Sequence, residues 1–258
     1  MIKAVRQKKI IELLSHESVL SVRELSSEFD VAESTIRRDL EEMEGRGELR
    51  RTYGGAVMVD QVEAEAPFDQ RSVTNRDEKI AIGQEACSLI KDGDTIFIDG
   101  GTTTEQMLPY LMKKKHLTVI TCGLNIANGL TQCPRVDTIV TGGFLDLESM
   151  TLIPVFDDEQ SQYEKINISK VFFSCAGVTA DTGITNRIIG RIPTKKKLLE
   201  IASEFVLLAD GSKVGADAAI AFAPIEIIDH MITDDSAPEE EVEKIRLRGV
   251  RVTLVSPP

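Results

Sequence analysis

From position 95 onward, short β-rich apolar runs alternate with stretches of helical period, and this alternation constrains the fold more than any other feature. The runs cover 95–98, 117–121, 137–140, 171–174, 205–208, 231–233 and 250–255. Most are almost continuously apolar, as expected of strands covered on both faces by helices. The expected architecture is therefore an α/β domain with a mainly parallel sheet. A helix over about 77–90, with Ile80, Ile82, Ala86 and Leu89 on its apolar side, leads into the first run and stops at Lys91-Asp92-Gly93-Asp94. A chain of 258 residues can hold such a domain plus one small module.

In parallel sheets ligands bind outside the carboxyl ends of the strands, and there the sequence places its polar punctuation. Asp99-Gly100-Gly101-Thr102-Thr103-Thr104 follows the first run, before a helix with Met107, Leu108 and Leu111 on its buried side. Glycines let backbone come close to an anion, while a helix start supplies free N–H groups and partial positive charge. The same loop reads equally well as a tight turn with a Thr cap. Thr121-Cys122-Gly123-Leu124-Asn125, Thr141-Gly142-Gly143, Cys175-Ala176-Gly177-Val178 and Asp210-Gly211-Ser212-Lys213 follow later runs. Each alone is an ordinary turn, but five on one sheet edge favour a small-molecule pocket.

The first quarter of the chain has a different period. Ile10, Ile11, Leu13 and Leu14 form the apolar side of a helix over about 6–15. Ser21-Val22-Arg23-Glu24 is a capping box opening a second helix, buried through Leu25 and Phe29, with the turn at Asp30-Val31. In the next segment, Ala32 to Leu40, the residues Ile36, Leu40 and Met43 share one helical face and leave Ser34, Thr35, Arg37 and Arg38 off it. Such a face is ordinarily just solvated. Following two short helices, it suits insertion into a major groove, where guanidinium forks and hydroxyls bond base edges or phosphates. Gly45-Arg46-Gly47 ends this helix. A basic ribbon with Arg50 and Arg51 and a Gly54-Gly55 hairpin signal follows. Three helices and a basic hairpin make a winged helix-turn-helix. The expected division is a DNA-binding domain at 1–58, a linker at 59–76 and an effector-sensing domain at 77–258.

A net charge of −12 is unusual for a DNA binder until it is divided. Residues 1–58 carry ten Lys or Arg against eleven Asp or Glu, a net of −1, which leaves −11 on the rest. Only the N-terminal end, with Arg37, Arg38, Arg46, Arg50 and Arg51, suits a phosphate backbone. Cys87, Cys122, Cys133 and Cys175 are isolated and read as reduced thiols of a cytoplasmic protein. His16, His116 and His230 are scattered, so no metal site is expected, and no cofactor. No stretch is long and apolar enough for a membrane span, and the N-terminus does not read as a signal peptide.

The residues Arg6, Ile10, Leu14, Ala32, Thr35, Ile36, Arg37, Arg38, Asp39 and Leu40, with the ribbon ending Gly54-Gly55-Ala56-Val57, resemble the helix-turn-helix of the DeoR family of regulators. The later loops, including Asp99 to Thr104, Asn125, Gly143, Gly183-Ile184-Thr185, Lys195 and Asp210 to Lys213, resemble that family's sensor domain, similar in fold to ribose-5-phosphate isomerase. The resemblance implies a repressor of a carbohydrate operon, controlled by a phosphorylated sugar or related anion. It implies that Gly101 and Thr102–Thr104 hold the phosphate, while Asp99, Asn125 and Lys195 line the rest of the site. Gly143 and Lys213 stand on neighbouring strand ends. Two departures stand out. Ala32 replaces the usual Ser cap, weakening that helix start by about 1 kcal/mol. Between Asn186 and Pro193 the family's acidic pair is missing and Arg187 and Arg191 stand nearby, which suits an effector more anionic than a simple sugar monophosphate; alternatively both arginines are surface residues. Two half-sites on operator DNA require a homo-oligomer, a dimer or tetramer. The alternative function is a sugar-phosphate isomerase-like enzyme fused to the DNA-binding module, with Asp99, Asp210 and Lys195 as its candidate groups. The missing acidic pair and the absence of any other catalytic cluster count against it.

Overall fold

The computed structural model describes residues 2–16, 20–46, 48–52, 54–58, 66–147, 149–154, 166–187 and 192–257. The chain divides into two compact units, one built on Met1–Ala64 and the other on Glu65–Asn186 and Arg191–Pro258.

In the first unit, helix α1 (Lys3–His16), strand β1 (Leu20–Ser21), helix α2 (Val22–Phe29), helix α3 (Glu33–Gly45) and strands β2 (Leu49–Thr52) and β3 (Gly55–Met58) follow in order. The capping box expected at Ser21 is formed: Glu24 N donates to Ser21 Oγ at 3.0 Å, and Ser21 N donates to Glu24 Oε2 at 2.8 Å. Ala32 begins α3 without a side-chain cap. Ile10, Leu14, Leu25, Phe29, Ile36, Leu40, Met43 and Leu49 close one core between the three helices and the ribbon. The ribbon's turn is shifted from its expected place. Thr52 pairs with Gly55, so Gly55 is already strand. Gly55 is required for packing, because a Cβ there would lie 1.9 Å from the Leu20 carbonyl oxygen, where β1 pairs with β3.

The second unit opens with helix α4 (Phe68–Val73), which lies inside the segment read from sequence as featureless linker. Six residues are too few to show a helical period. Helix α5 (Arg76–Ser88) follows, then β4 (Thr95–Ile98), the short helices α6 (Thr102–Glu105) and α7 (Leu108–Leu111), β5 (Leu117–Thr121), α8 (Leu124–Leu130) and β6 (Val136–Val140). After these come β7 (Phe144–Asp146), β8 (Thr151–Ile153), β9 (Lys170–Ser174), β10 (Gly177–Thr179), β11 (Gly183–Asn186) and helix α9 (Ile192–Ile201). The unit ends with β12 (Phe205–Leu208), β13 (Ile220–Ala223), β14 (His230–Asp234), α10 (Glu239–Leu247) and β15 (Arg251–Val255).

All seven apolar runs are strands of one parallel sheet, ordered β15-β14-β12-β9-β4-β5-β6. The sequence reading lacked the antiparallel sheet β10-β11-β13 and the hairpin β7-β8. Ile96, Ile98, Val119, Phe172, Val206, Leu208 and Ile232 fill one face of the large sheet against Ile82, Ala86, Met107, Leu111 and Ile126 from the helices.

Candidate DNA interface and candidate effector site

On α3 the buried residues are Ile36, Asp39, Leu40 and Met43. At 100° per residue the opposite face centres on Ser34, Arg38 and Glu41. Ser34, Arg37 and Arg38 are exposed and Thr35 is half-buried. The two arginines are not equivalent. Arg37 Nη2 bonds Glu33 Oε2 one turn back at 2.7 Å, so its fork is already engaged. Arg38 makes no hydrogen bond or ion pair among the described residues, leaving its fork available. Arg51 is held to the same helix: its N–H donates to Glu44 Oε1 at 2.8 Å, and its guanidinium lies 4.0 Å from Glu41 and Glu44. Arg50 lies in β2, and its side chain is outside the described residues. Glu33, Glu41 and Glu44 of α3 therefore set how much positive charge this face presents.

In the second unit the carboxyl ends of β4, β5, β9 and β12 carry the loops singled out from sequence. Asp99 and Asp210 are the residues directly after β4 and two after β12. The β4 and β5 loops touch: a Cβ on Gly100 would lie 2.9 Å from Gly123 Cα and 2.7 Å from Thr151 Oγ1. Gly101 faces Ser174 at the end of β9, with 2.6 Å between a hypothetical Cβ and Ser174 Oγ. Lys195, on α9, reaches into this junction. Its Nζ lies 2.9 Å from Asp99 Oδ2 and donates to the Ser174 carbonyl at 2.6 Å. The rings of Phe173 and Phe222 flank the ammonium at 5.5 and 5.3 Å from their centroids, within cation–π reach. The pair is almost fully buried, 5% and 3% exposed. Cys122 Sγ donates to the other Asp99 oxygen at 3.4 Å.

This pair lines a cavity with Phe97, Cys122, Thr151, Leu152, Phe173, Thr194 and Phe222. Counting its mouth, the empty space is about 420 Å³, but its interior holds about one water molecule. Two of the buried polar atoms without a partner among the described residues belong to candidate or wall residues: Thr194 Oγ1, on the cavity wall, and Asn125 Oδ1, whose amide nitrogen donates to the Gly101 carbonyl at 3.3 Å. Buried polar groups are rarely left unbonded without reason. Burial raises the Glu105 carboxyl above its ordinary value, against the hydrogen bond from Asn125. Burial also pushes the Cys175 thiol up to about 12, opposed by Lys195 and Lys213, which keeps it protonated.

The candidate residues therefore fall into groups. Asp99 and Lys195 meet at the cavity, with Gly101 on the loop after β4 and Asn125 in the first turn of α8 after β5. Thr102, Thr103 and Thr104 are buried in α6. Thr104 spends its hydroxyl inward on the Asp99 and Gly101 carbonyls at 2.8 and 3.1 Å, holding the turn. The Thr cap of the alternative tight-turn reading is absent, since Gly101 precedes the helix with no side-chain bond. Gly143, at φ +131°, is explained by packing: a Cβ there would lie 2.2 Å from the Ile153 carbonyl oxygen. Lys213 ends the turn Gly211–Lys213 and is not a wall of the cavity. Arg187 directly follows β11 and is likewise not a wall residue, and Arg191 lies outside the described residues.

Sequence reasoning passed over Phe173, Phe222, Thr194 and Cys122 as site residues. Phe173 looks like core within an apolar run. Phe222 belongs to a strand with no distinct signal, and Thr194 only gains meaning once its neighbour Lys195 points inward. It also passed over Asn75, which sits in the left-handed region at φ 51° and joins the start of α5 to the β12 loop. Its amide donates to Asp210 Oδ1 at 2.8 Å and Ser212 Oγ at 3.3 Å. Beside it, Lys79 donates to the carbonyls of Arg71 and Thr74 at 2.6 and 2.7 Å, fastening α4 to α5. Burial lowers the Lys79 pKa, and the Asp210 charge opposes that shift.

A winged helix-turn-helix joined to an α/β domain with a strand-end cavity, largely apolar around one buried ion pair, defines a DNA-binding protein with a second, pocket-bearing domain. Residues 6–62 match the DeoR-like helix-turn-helix domain, and residues 74–235 match the DeoR C terminal sensor domain. The chain belongs to the DeoR family and is a DNA-binding transcriptional regulator, not an enzyme. It is 34% identical over 255 residues to the uncharacterized HTH-type transcriptional regulator YulB of Bacillus subtilis (strain 168), covering 99% of this chain and 98% of that one. It is 32% identical over 251 residues to the transcriptional repressor AccR of Agrobacterium fabrum, covering 95% and 96%. A likeness to ribose 5-phosphate isomerase A from Methanocaldococcus jannaschii has a TM-score of 0.39 and 20% identity, over 54% of this chain and 55% of that one. No helix among the described residues is long and apolar enough to cross a membrane.

Proposed function

We propose that this regulator is a cytoplasmic repressor of a carbohydrate operon, released or retained on its operator by a small anionic metabolite of the phosphorylated-sugar class. The observation that carries this reading is the buried Asp99–Lys195 pair, set in a cavity wall beside glycine-lined loops. A carboxylate there accepts sugar hydroxyls, the ammonium attracts an anion, and backbone N–H groups of the Gly100–Thr104 turn suit phosphate oxygens. The interior holds about one water, so a sugar phosphate enters only as the walls part and Lys195 exchanges its present partners for the ligand. That exchange gives the ligand a preference for one conformation over another, which any effector needs.

In this reading residues 1–58 bind DNA, 59–76 connect, and 77–258 sense. Ser34, Thr35 and Arg38 read the groove, Arg37, Arg50 and Arg51 meet phosphates, and a homo-oligomer places two such modules on paired half-sites. Arg187 and Arg191 belong to the effector side and favour a second anionic group. A thermal-shift screen against phosphorylated sugars, sugar acids and polyol phosphates tests this. A specific rise in melting temperature, lost in Lys195→Met, supports the site. A rise that Lys195→Met leaves unchanged places the ligand elsewhere.

A further inference from the structure

Arg6 of α1 and Asp39 of α3 form a second buried ion pair, far in sequence from any candidate ligand residue. Arg6 Nε donates to Asp39 Oδ2 at 2.5 Å, and the two side chains are 6% and 3% exposed. Asp39 is the only charged group among the buried residues of α3, and the rest of that face, Ile36, Leu40 and Met43, is apolar. Apolar packing sets which face of the helix is buried, but being non-directional it fixes the rotation less sharply than a directed bond does. The start of α3 supplies no anchor either, because Ala32 leaves the first turn uncapped. An ion pair through a planar guanidinium fixes both rotation and axial position. Around it, Lys3 pairs with Glu42, Gln7 Nε2 donates to Glu42 at 3.5 Å, and Arg46 Nη2 donates to Gln7 Oε1 at 3.0 Å. Lys3, Arg6 and Gln7 share one face of α1, so the seam runs along the two helices.

We propose that Arg6 and Asp39 are positioning residues for DNA recognition: by tying α3 to α1 they set the rotation at which Ser34 and Arg38 meet the groove. Arg38 precedes Asp39 by one residue, and in a helix one residue is 100° of rotation. With Asp39 held inward, Arg38 is held outward. Releasing the tie lets the helix turn on its apolar face, which blurs base contacts while leaving phosphate attraction in place.

The test separates positioning from stability, because buried ion pairs replaced by apolar residues of similar volume commonly fold as well or better. The full chain carrying Arg6→Met and Asp39→Leu is compared with wild type on two DNAs: the duplex that wild type enriches from a random-sequence pool, and a shuffled duplex. Melting temperature at or above wild type is expected, with unchanged binding to the shuffled duplex. The preference for the selected duplex is expected to fall about tenfold, the scale of one mismatched base pair. A well-folded double variant that keeps the wild-type preference overturns the proposal. If the double variant melts well below wild type, Arg6→Lys serves instead, since it keeps the charge and loses the fork. A reduced preference at unchanged shuffled-duplex affinity then supports the proposal, and an unchanged preference overturns it.

Discussion

The two buried ion pairs, Arg6–Asp39 and Asp99–Lys195, are alike in chemistry and burial but opposite in setting. The first joins two helices of the core that Ile10, Ile36, Leu40 and Met43 help to fill, next to a hydrogen-bonded seam. The second lies on a cavity wall, between two aromatic rings, with polar atoms on Thr194 of α9 and Asn125 of α8 that have no partner among the described residues. Burial alone therefore does not mark a functional charge. What distinguishes the second is room to change partners.

Breaking each pair from one side gives the largest contrast. Asp39→Ala takes its carboxylate partner from Arg6 in a packed core, and the N-terminal unit is expected to lose about 3–5 kcal/mol, read by chemical denaturation. Lys195→Met takes the ammonium from Asp99 beside a cavity that water can enter, so the stability loss is expected to be about 1–2 kcal/mol. Equal losses in the two variants would remove the distinction.

His230 sharpens the comparison from within the sensing unit. It is buried in β14, its Nε2 meets Thr253 Oγ1 at 2.8 Å, and burial, helped by the Arg251 charge, lowers its pKa to about 4. The folded ring is neutral where the unfolded one takes a proton. Stability is therefore complete above pH 6.5 and falls as pH drops toward 4, by at most about 3 kcal/mol. His230→Gln is expected to flatten this dependence in pH-dependent melting, while leaving the N-terminal unit's melting unaffected. An unchanged slope would assign the pH response to other groups.

The smallest effect concerns the start of α3. Ala32→Ser supplies the missing cap and is expected to stabilise the N-terminal unit by about 1 kcal/mol. No change in its denaturation midpoint would mean that the seam with α1 already fixes the helix start.

What was legible in the sequence follows the range of the forces involved. Contiguous apolar runs marked all seven strands of the parallel sheet, and Ser21 with Glu24 marked the start of α2, because each signal lies within a few residues. The sheet β10-β11-β13 escaped, since Gly177–Thr179 and Gly183–Asn186 are short and gain their stability from distant pairing with Ile220–Ala223. In the site, Asp99, Gly101, Asn125 and Lys195 came from strand-end position and resemblance. That Thr104 turns inward, that Arg37 is occupied by Glu33, and that Phe222 flanks Lys195 depend on side-chain directions that only packing decides.

The most direct test of the account is DNA occupancy under effector challenge. Wild type and Lys195→Met are bound to the duplex that wild type selects from a random pool, then titrated with phosphorylated sugars, sugar acids and polyol phosphates. Equal affinity for the duplex is expected in both proteins, with a change of occupancy by one effector class in wild type alone. Loss of duplex binding in Lys195→Met, or an effector response equal to wild type, would contradict it.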